Sequence, residues 1–352
     1  MRKYSKKLDN KVKQFREKRD FSYRRLSSIL PLASPLSLII DPTNICNFRC
    51  AFCPTADSRL LKSVGRPRGM MGFDLFQKII DDARTFDKKI EKMYLYKDGE
   101  PFINKDLAKM IRYAKAKIAA KSIGTTSNAS LITKKRAIEV IEAGLDTIII
   151  SIEHVNDRGY KNVVKTFSDY SKIRRNVEFL YNEKIKRKST LKIHAKIVDY
   201  GLSPDDKEKF VRDFGSISDS VNICALMGWS NCDKKDFTLG KTVKTGIDGV
   251  SPLLRNRKVC PQPFKTMSVN FNGLVSVCCV DWSFGTLIGD VNKESLVDIW
   301  NGKAMRNFRI LHLEGKRAQI QSCANCDYLE GINPMSDLDG SARELLEAYQ
   351  RS

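Results

Sequence analysis

Six short runs rich in apolar and β-branched residues lie at 36–41, 92–97, 122–126, 146–153, 191–198 and 219–224. They alternate with five stretches of helical period at 73–84, 105–117, 133–143, 167–183 and 205–214. This alternation constrains the chain more than any other feature. Strand-length runs separated by amphipathic helices favour parallel pairing, because a parallel neighbour needs a crossover long enough to hold a helix. Six such units predict an α/β fold whose parallel sheet curls into a barrel or partial barrel. Chemistry in such barrels gathers on the loops that follow the strands. With 352 residues, 42% of them apolar, the chain can bury a substantial core and fits about two domains.

The loop after the first run reads CNFRCAFCP, with Cys46, Cys50 and Cys53 inside eight positions. A structural zinc site takes four ligands, usually as two CxxC pairs. A disulfide framework takes an even number of cysteines in a short secreted chain. Three thiolates suit a [4Fe–4S] cluster anchored through three irons, with the fourth open to a reacting ligand. Ten cysteines in a Lys-rich chain without a secretory h-region predict a reducing compartment, the cytoplasm, and cysteines committed to metal. No apolar stretch approaches the ~20 residues of a membrane span.

CxxxCxxC placed after the first barrel strand resembles the hallmark of the radical S-adenosylmethionine (SAM) superfamily, and Phe52 before the third cysteine agrees with it. The resemblance implies a partial (β/α)6 TIM-like barrel that binds SAM at the open iron. YKDGEP resembles the family's GGE motif and implies Gly99 and Glu100 at the methionyl amine, with Asp98 standing where the family often has glycine. TTSNA implies Ser127 and Asn128 near the SAM ribose and carboxylate, and ISIE implies Ser151 and Glu153 as ribose contacts. HAKIV resembles the strand whose backbone recognises adenine. Each motif alone is weak, since a strand end with Gly, Ser or Asn is more often a turn. Their order along the strands gives the set its specificity.

Cys260, Gly273-x4-Cys278 and the pair Cys323 and Cys326 form a second set. Spacing alone fits a zinc ribbon and an iron–sulfur cluster about equally. The order C…GxxxxC…CxxC, with WNG at 300–302, resembles the SPASM/Twitch extension that follows radical SAM barrels and binds auxiliary [4Fe–4S] clusters. No cysteine follows Cys326, so the resemblance implies one auxiliary cluster, the Twitch arrangement of the aminocyclitol dehydrogenase of butirosin biosynthesis and sugar-modifying relatives. Cys279 is the less favoured ligand, Cys224 reads as a packed core thiol, and Cys232 as a loop thiol without a role. The expected division is a basic extension at 1–30, a barrel at 31–235, a linker at 236–258, a small cysteine-rich Twitch/SPASM-like domain at 259–335 and a C-terminal helix at 336–352.

These readings imply SAM and two [4Fe–4S] clusters as cofactors. A cluster closed by four thiolates has no open iron for substrate, so its remaining use is to pass an electron. That favours two-electron oxidation of an alcohol carbon in a carbohydrate, aminocyclitol or nucleotide-sugar. Redox-neutral decarboxylation or epimerisation, peptide maturation and a non-catalytic zinc scaffold are the alternatives. His154 and Lys196 are the candidate bases, the lysine because burial lowers its pKa. Trp229 offers a stacking face or a core plug. The formal charge of +21 begins early: residues 1–25 hold eleven Lys and Arg against Asp9, Glu17 and Asp20. Such a run is usually a solvated helix face. Its functional reading is docking to a phosphate-bearing substrate, a membrane surface or an acidic flavodoxin- or ferredoxin-type reductant. No aromatic-rich basic motif supports nucleic acid binding.

Overall fold

The computed structural model describes residues 25–231 and 233–351. Most of the basic N-terminal run and Cys232 therefore lie outside the described residues. All six expected strands form: β1 (Ser37–Ile40), β2 (Ile90–Leu95), β3 (Ala120–Ser127), β4 (Thr147–Ile152), β5 (Lys192–Asp199) and β6 (Ser220–Ala225). They pair in parallel and in sequence order, as helical crossovers require. On β4, Ile148, Ile150 and Ile152 are buried, while Thr147, Ile149 and Ser151 alternate onto the other face.

Local sequence chemistry sets the helix starts. Thr133 accepts a hydrogen bond from the Arg136 N–H, Asp169 from Lys172 and Ser203 from Asp206, with Pro204 at the first helical position. The helix expected from residue 167 instead begins at Tyr170 and runs to Lys186, because Asp169 caps it. Phe167 stays outside the helix, 95% exposed. A helix at Asp157–Val164 and a short one at Ser58–Ser63 were not anticipated.

The cysteine-rich half adds three strands that the apolar pattern did not reveal: β7 (Thr266–Val269), β8 (Leu274–Ser276) and β9 (Leu287–Asp290). β7 pairs in parallel with β1, from Ser37 opposite Thr266 to Ile40 opposite Val269, so one nine-stranded sheet runs through both halves. β8 and β9 return antiparallel. Gly273 takes φ +91° in the β7–β8 turn, a conformation that favours glycine. One hydrophobic core extends from the barrel strands to Val275, Trp300 and Met305. The C-terminal helix (Ala342–Arg351) packs Leu345 and Tyr349 against Leu26, Phe264 and Leu313. Among the described residues, no helix is long and apolar enough to cross a membrane.

Candidate active site

The cysteine loop leaves β1 at its C-terminal end, as the barrel pattern predicts. Its shape is fixed by backbone contacts from distant segments: Arg49 and Ala51 donate to the carbonyls of Val164 and Val163 at 3.0 and 2.9 Å. Asn47 donates to Ser130 and accepts from Asn128. Cys46, Cys50 and Cys53 are half-buried, and Cys46 and Cys50 pack against the core. Burial pushes the Cys46 thiol up to about 12 and also raises Cys50 and Cys53. Thiols held this way ionise only beside a cationic group, which is what a cluster's irons provide.

The residues after β2 and β3 lock onto this loop. The Glu100 N–H donates to the Ile45 carbonyl at 2.9 Å. The Glu100 carboxylate accepts from the Phe102 N–H, the Ser127 hydroxyl and the Asn128 N–H at 3.1, 2.8 and 2.8 Å. Burial raises its pKa to about 7, a rise these donors oppose. Glu100, Ser127 and Asn128 thus form one bonded unit behind the cysteines. Glu153 is buried just past β4, and burial raises it to about 7 against the charge of Lys196. Lys196 on β5 lies in register with Ser151 on β4 and Asn222 on β6, so these three share a sheet face.

His154 follows Glu153 in the segment after β4. Its Nδ1 accepts from the Val155 N–H at 2.8 Å, and its ring packs where a Gly159 side chain would stand. Phe52 lies 5.9 Å from the Tyr200 ring, and its carbonyl accepts from the Trp229 indole N–H at 3.1 Å. Trp229 therefore braces the cysteine loop. Cys224 is half-buried beside an open groove rather than packed in the core, and accepts from the Asn222 amide. Alternation along β6 breaks down because β6 is the sheet edge.

Cys260, Cys278, Cys323 and Cys326 line a single cavity with His312, Arg317 and Asp281, and Cys279 is not in its lining. Among the described residues no three His, Cys, Asp or Glu side chains stand close enough to hold a single metal ion.

The sequence reading did not single out Asp41, Arg66 or Lys97, all buried beside the cysteine loop. Arg66 pairs with Asp98 at 2.7 Å, and Lys97 with the same carboxylate oxygen at 2.5 Å. Lys97 also donates to the Asp281 carbonyl at 2.9 Å, tying the end of β2 to the second cysteine cavity. The signal available was Asp98 standing where the resembled motif often has glycine, next to Lys97.

Comparison with known families agrees with this geometry. The radical SAM superfamily profile matches residues 40–213, and the SPASM profile, an iron–sulfur cluster-binding domain, matches residues 260–327. The chain carries a radical SAM domain followed by a SPASM domain. These domains imply SAM, its [4Fe–4S] cluster and additional iron–sulfur chemistry. Over 116 residues the chain is 30% identical to the tungsten-containing aldehyde ferredoxin oxidoreductase cofactor-modifying protein of Pyrococcus furiosus, covering 33% of this chain and 30% of that protein. Over 191 residues it is 26% identical to the GTP 3′,8-cyclase of Clostridium botulinum, covering 54% and 56%. The chain thus spans a third to about half the length of these curated relatives. The solved structure of BtrN with AdoMet and 2-DOIA shares the fold at TM-score 0.53 and 17% identity, over 86% of this chain and 95% of that one. Streptococcus suis SuiB bound to precursor peptide SuiA gives 0.60 at 14% identity, over 87% and 72%.

Proposed function

We propose that this radical SAM protein oxidises an alcohol carbon of a carbohydrate, aminocyclitol or nucleotide-sugar, using a flavodoxin- or ferredoxin-type reductant. When bound, SAM and its cluster supply a 5′-deoxyadenosyl radical able to take a hydrogen atom from an unactivated C–H bond. Cys46, Cys50 and Cys53 would hold that cluster. Gly99, Glu100, Ser127, Asn128, Ser151 and Glu153 would shape the SAM site. An alcohol carbon that has lost a hydrogen atom must still lose a proton and an electron to become a carbonyl. Four thiolates, from Cys260, Cys278, Cys323 and Cys326, leave no iron open to substrate and so suit an electron acceptor.

The observation that carries this reading is the join between the two sites: Lys97 at the end of β2 bonds Asp281 in the wall of the four-cysteine cavity. His154 and Lys196 remain the two candidate bases: Lys196 shares a face with Ser151, and His154 has its Nδ1 bonded to the Val155 N–H. The fold likeness to BtrN, whose structure was solved with AdoMet and 2-DOIA, extends over 86% of this chain.

The test uses substrate deuterated at the reacting carbon. Replacing Cys323 and Cys326 with Ala should leave deuterium transfer into 5′-deoxyadenosine while formation of the oxidised product falls much further. Product at the wild-type rate, with the first cluster intact, would rule out the acceptor role and favour a redox-neutral reaction. A wild-type protein holding about four irons and one zinc would mean a zinc ribbon instead.

A further inference from the structure

One buried group in the wall of the four-cysteine cavity is left without a partner. His312 lies in the last turn of the helix Lys303–Leu313, has no solvent exposure and lines the cavity with Cys260, Cys278, Cys323 and Cys326. Phe308, one turn earlier and also in the wall, stacks on the imidazole with ring centroids 5.1 Å apart and planes 25° apart. That contact sets the plane of the ring. The Cys260 N–H donates to His312 Nδ1 at 3.3 Å, which sets how the ring is turned within that plane. A ring nitrogen that accepts carries no proton, so in the neutral imidazole the proton is on Nε2.

Nε2 makes no hydrogen bond. Its neighbours in the wall are otherwise engaged. Ser230 donates to the Val280 carbonyl and Arg317 to the Cys323 carbonyl. Asp281, the carboxylate of the wall, already accepts from Ser283, Gly285 and Thr286. Among the described residues, His312 Nε2 is the one buried side-chain nitrogen or oxygen of this wall with no partner. A donor buried without an acceptor carries a desolvation penalty, and such groups are rare in a folded chain. The acceptors that four thiolates and a cubane bring to this cavity are sulfurs.

We propose that His312 donates its Nε2–H to a sulfur of the auxiliary cluster and thereby raises the cluster's reduction potential. The inference rests on the four-thiolate cluster of the reading above and deepens it. Reduction adds negative charge that spreads onto the sulfurs, so a donated N–H stabilises the reduced form more than the oxidised one. A cluster that takes an electron from a substrate radical needs that bias. The same tautomer argues against His312 as a ligand, because Nε2 presents a hydrogen where a bond to iron would form.

The experiment uses the full chain, anaerobically reconstituted. S-adenosylhomocysteine, which has no sulfonium to cleave, binds the open iron of the first cluster and separates the two EPR signals. A redox titration then reads the auxiliary cluster in wild type, His312→Phe and His312→Gln. Phe fills the place of the ring without a donor, and the Gln amide carries an N–H close to the Nε2 position. His312→Phe is expected to lower the ratio of reduced to oxidised cluster roughly tenfold at a fixed potential, a shift of about 59 mV for one electron. His312→Gln is expected to restore most of it. An unchanged potential in His312→Phe would overturn the hydrogen bond and leave the acceptor role standing. Should that variant fail to load iron, wild-type protein labelled with 15N-histidine decides. A weak nitrogen coupling to the reduced auxiliary cluster is expected, and either no coupling or the strong coupling of a bound nitrogen would refute the proposal. Zinc in place of iron at the second site would remove it together with the cluster assignment. A shifted potential in a protein that forms no oxidised product would keep the hydrogen bond and reject the oxidation reading.

Discussion

Gly99 packs so closely on the cysteine loop that a β-carbon there would stand 2.1 Å from the Thr43 carbonyl oxygen and 2.6 Å from that of Ile45. Both obstacles are backbone, so neither can swing away. Gly99→Ala should displace the loop and cut iron loading of the first site, read as a loss of roughly half the iron of the two-cluster protein. Gly340→Ala, with open space around the position, should load fully.

Anaerobic reconstitution should give about eight irons, as two [4Fe–4S] clusters. Changing Cys46, Cys50 and Cys53 together to Ala should halve this and abolish SAM cleavage. Full iron content in that variant would contradict the assignment of the first site.

Burial, followed by the charge of Asp98, raises Asp41 from 3.8 to about 7, while Lys97 and Arg66 oppose the rise. The folded state thus holds the proton more tightly than the unfolded chain. Its stabilising contribution is complete below about pH 3.8 and is lost as pH rises through about 7. Urea midpoints should fall between pH 5 and pH 8, and Asp41→Asn should flatten that slope. An unchanged slope would mean that Asp41 is charged across the range.

Trp300 is fully buried, its indole N–H donates to the Leu32 carbonyl at 2.9 Å, and Arg309 lies 4.1 Å over its ring. It belongs to the core shared by the barrel and the cysteine-rich half. Trp300→Ala should cost about 3–5 kcal/mol in urea unfolding. A loss under about 1 kcal/mol would indicate that the two halves hold together without it.

The sequence by itself determined the six parallel units, the placement of Cys46, Cys50 and Cys53 after β1, and the helix caps at Thr133 and Ser203. Each is written in a few adjacent residues, through periodicity, spacing or a side chain bonding its own backbone. Tertiary structure decided the rest. β7 is only four residues long, too short for a periodic signal, and its pairing with β1 depends on strand edges distant along the chain. Spacing could nominate Gly99 and Glu100, but only the fold pressed Gly99 against Thr43 and gave the Glu100 carboxylate its partners on β3 and the loop that follows. The meeting of Asp41, Arg66 and Asp98 was illegible for the same reason. Arg66 lies in an unremarkable loop, and burial beside two carboxylates is a property of packing that no local pattern encodes.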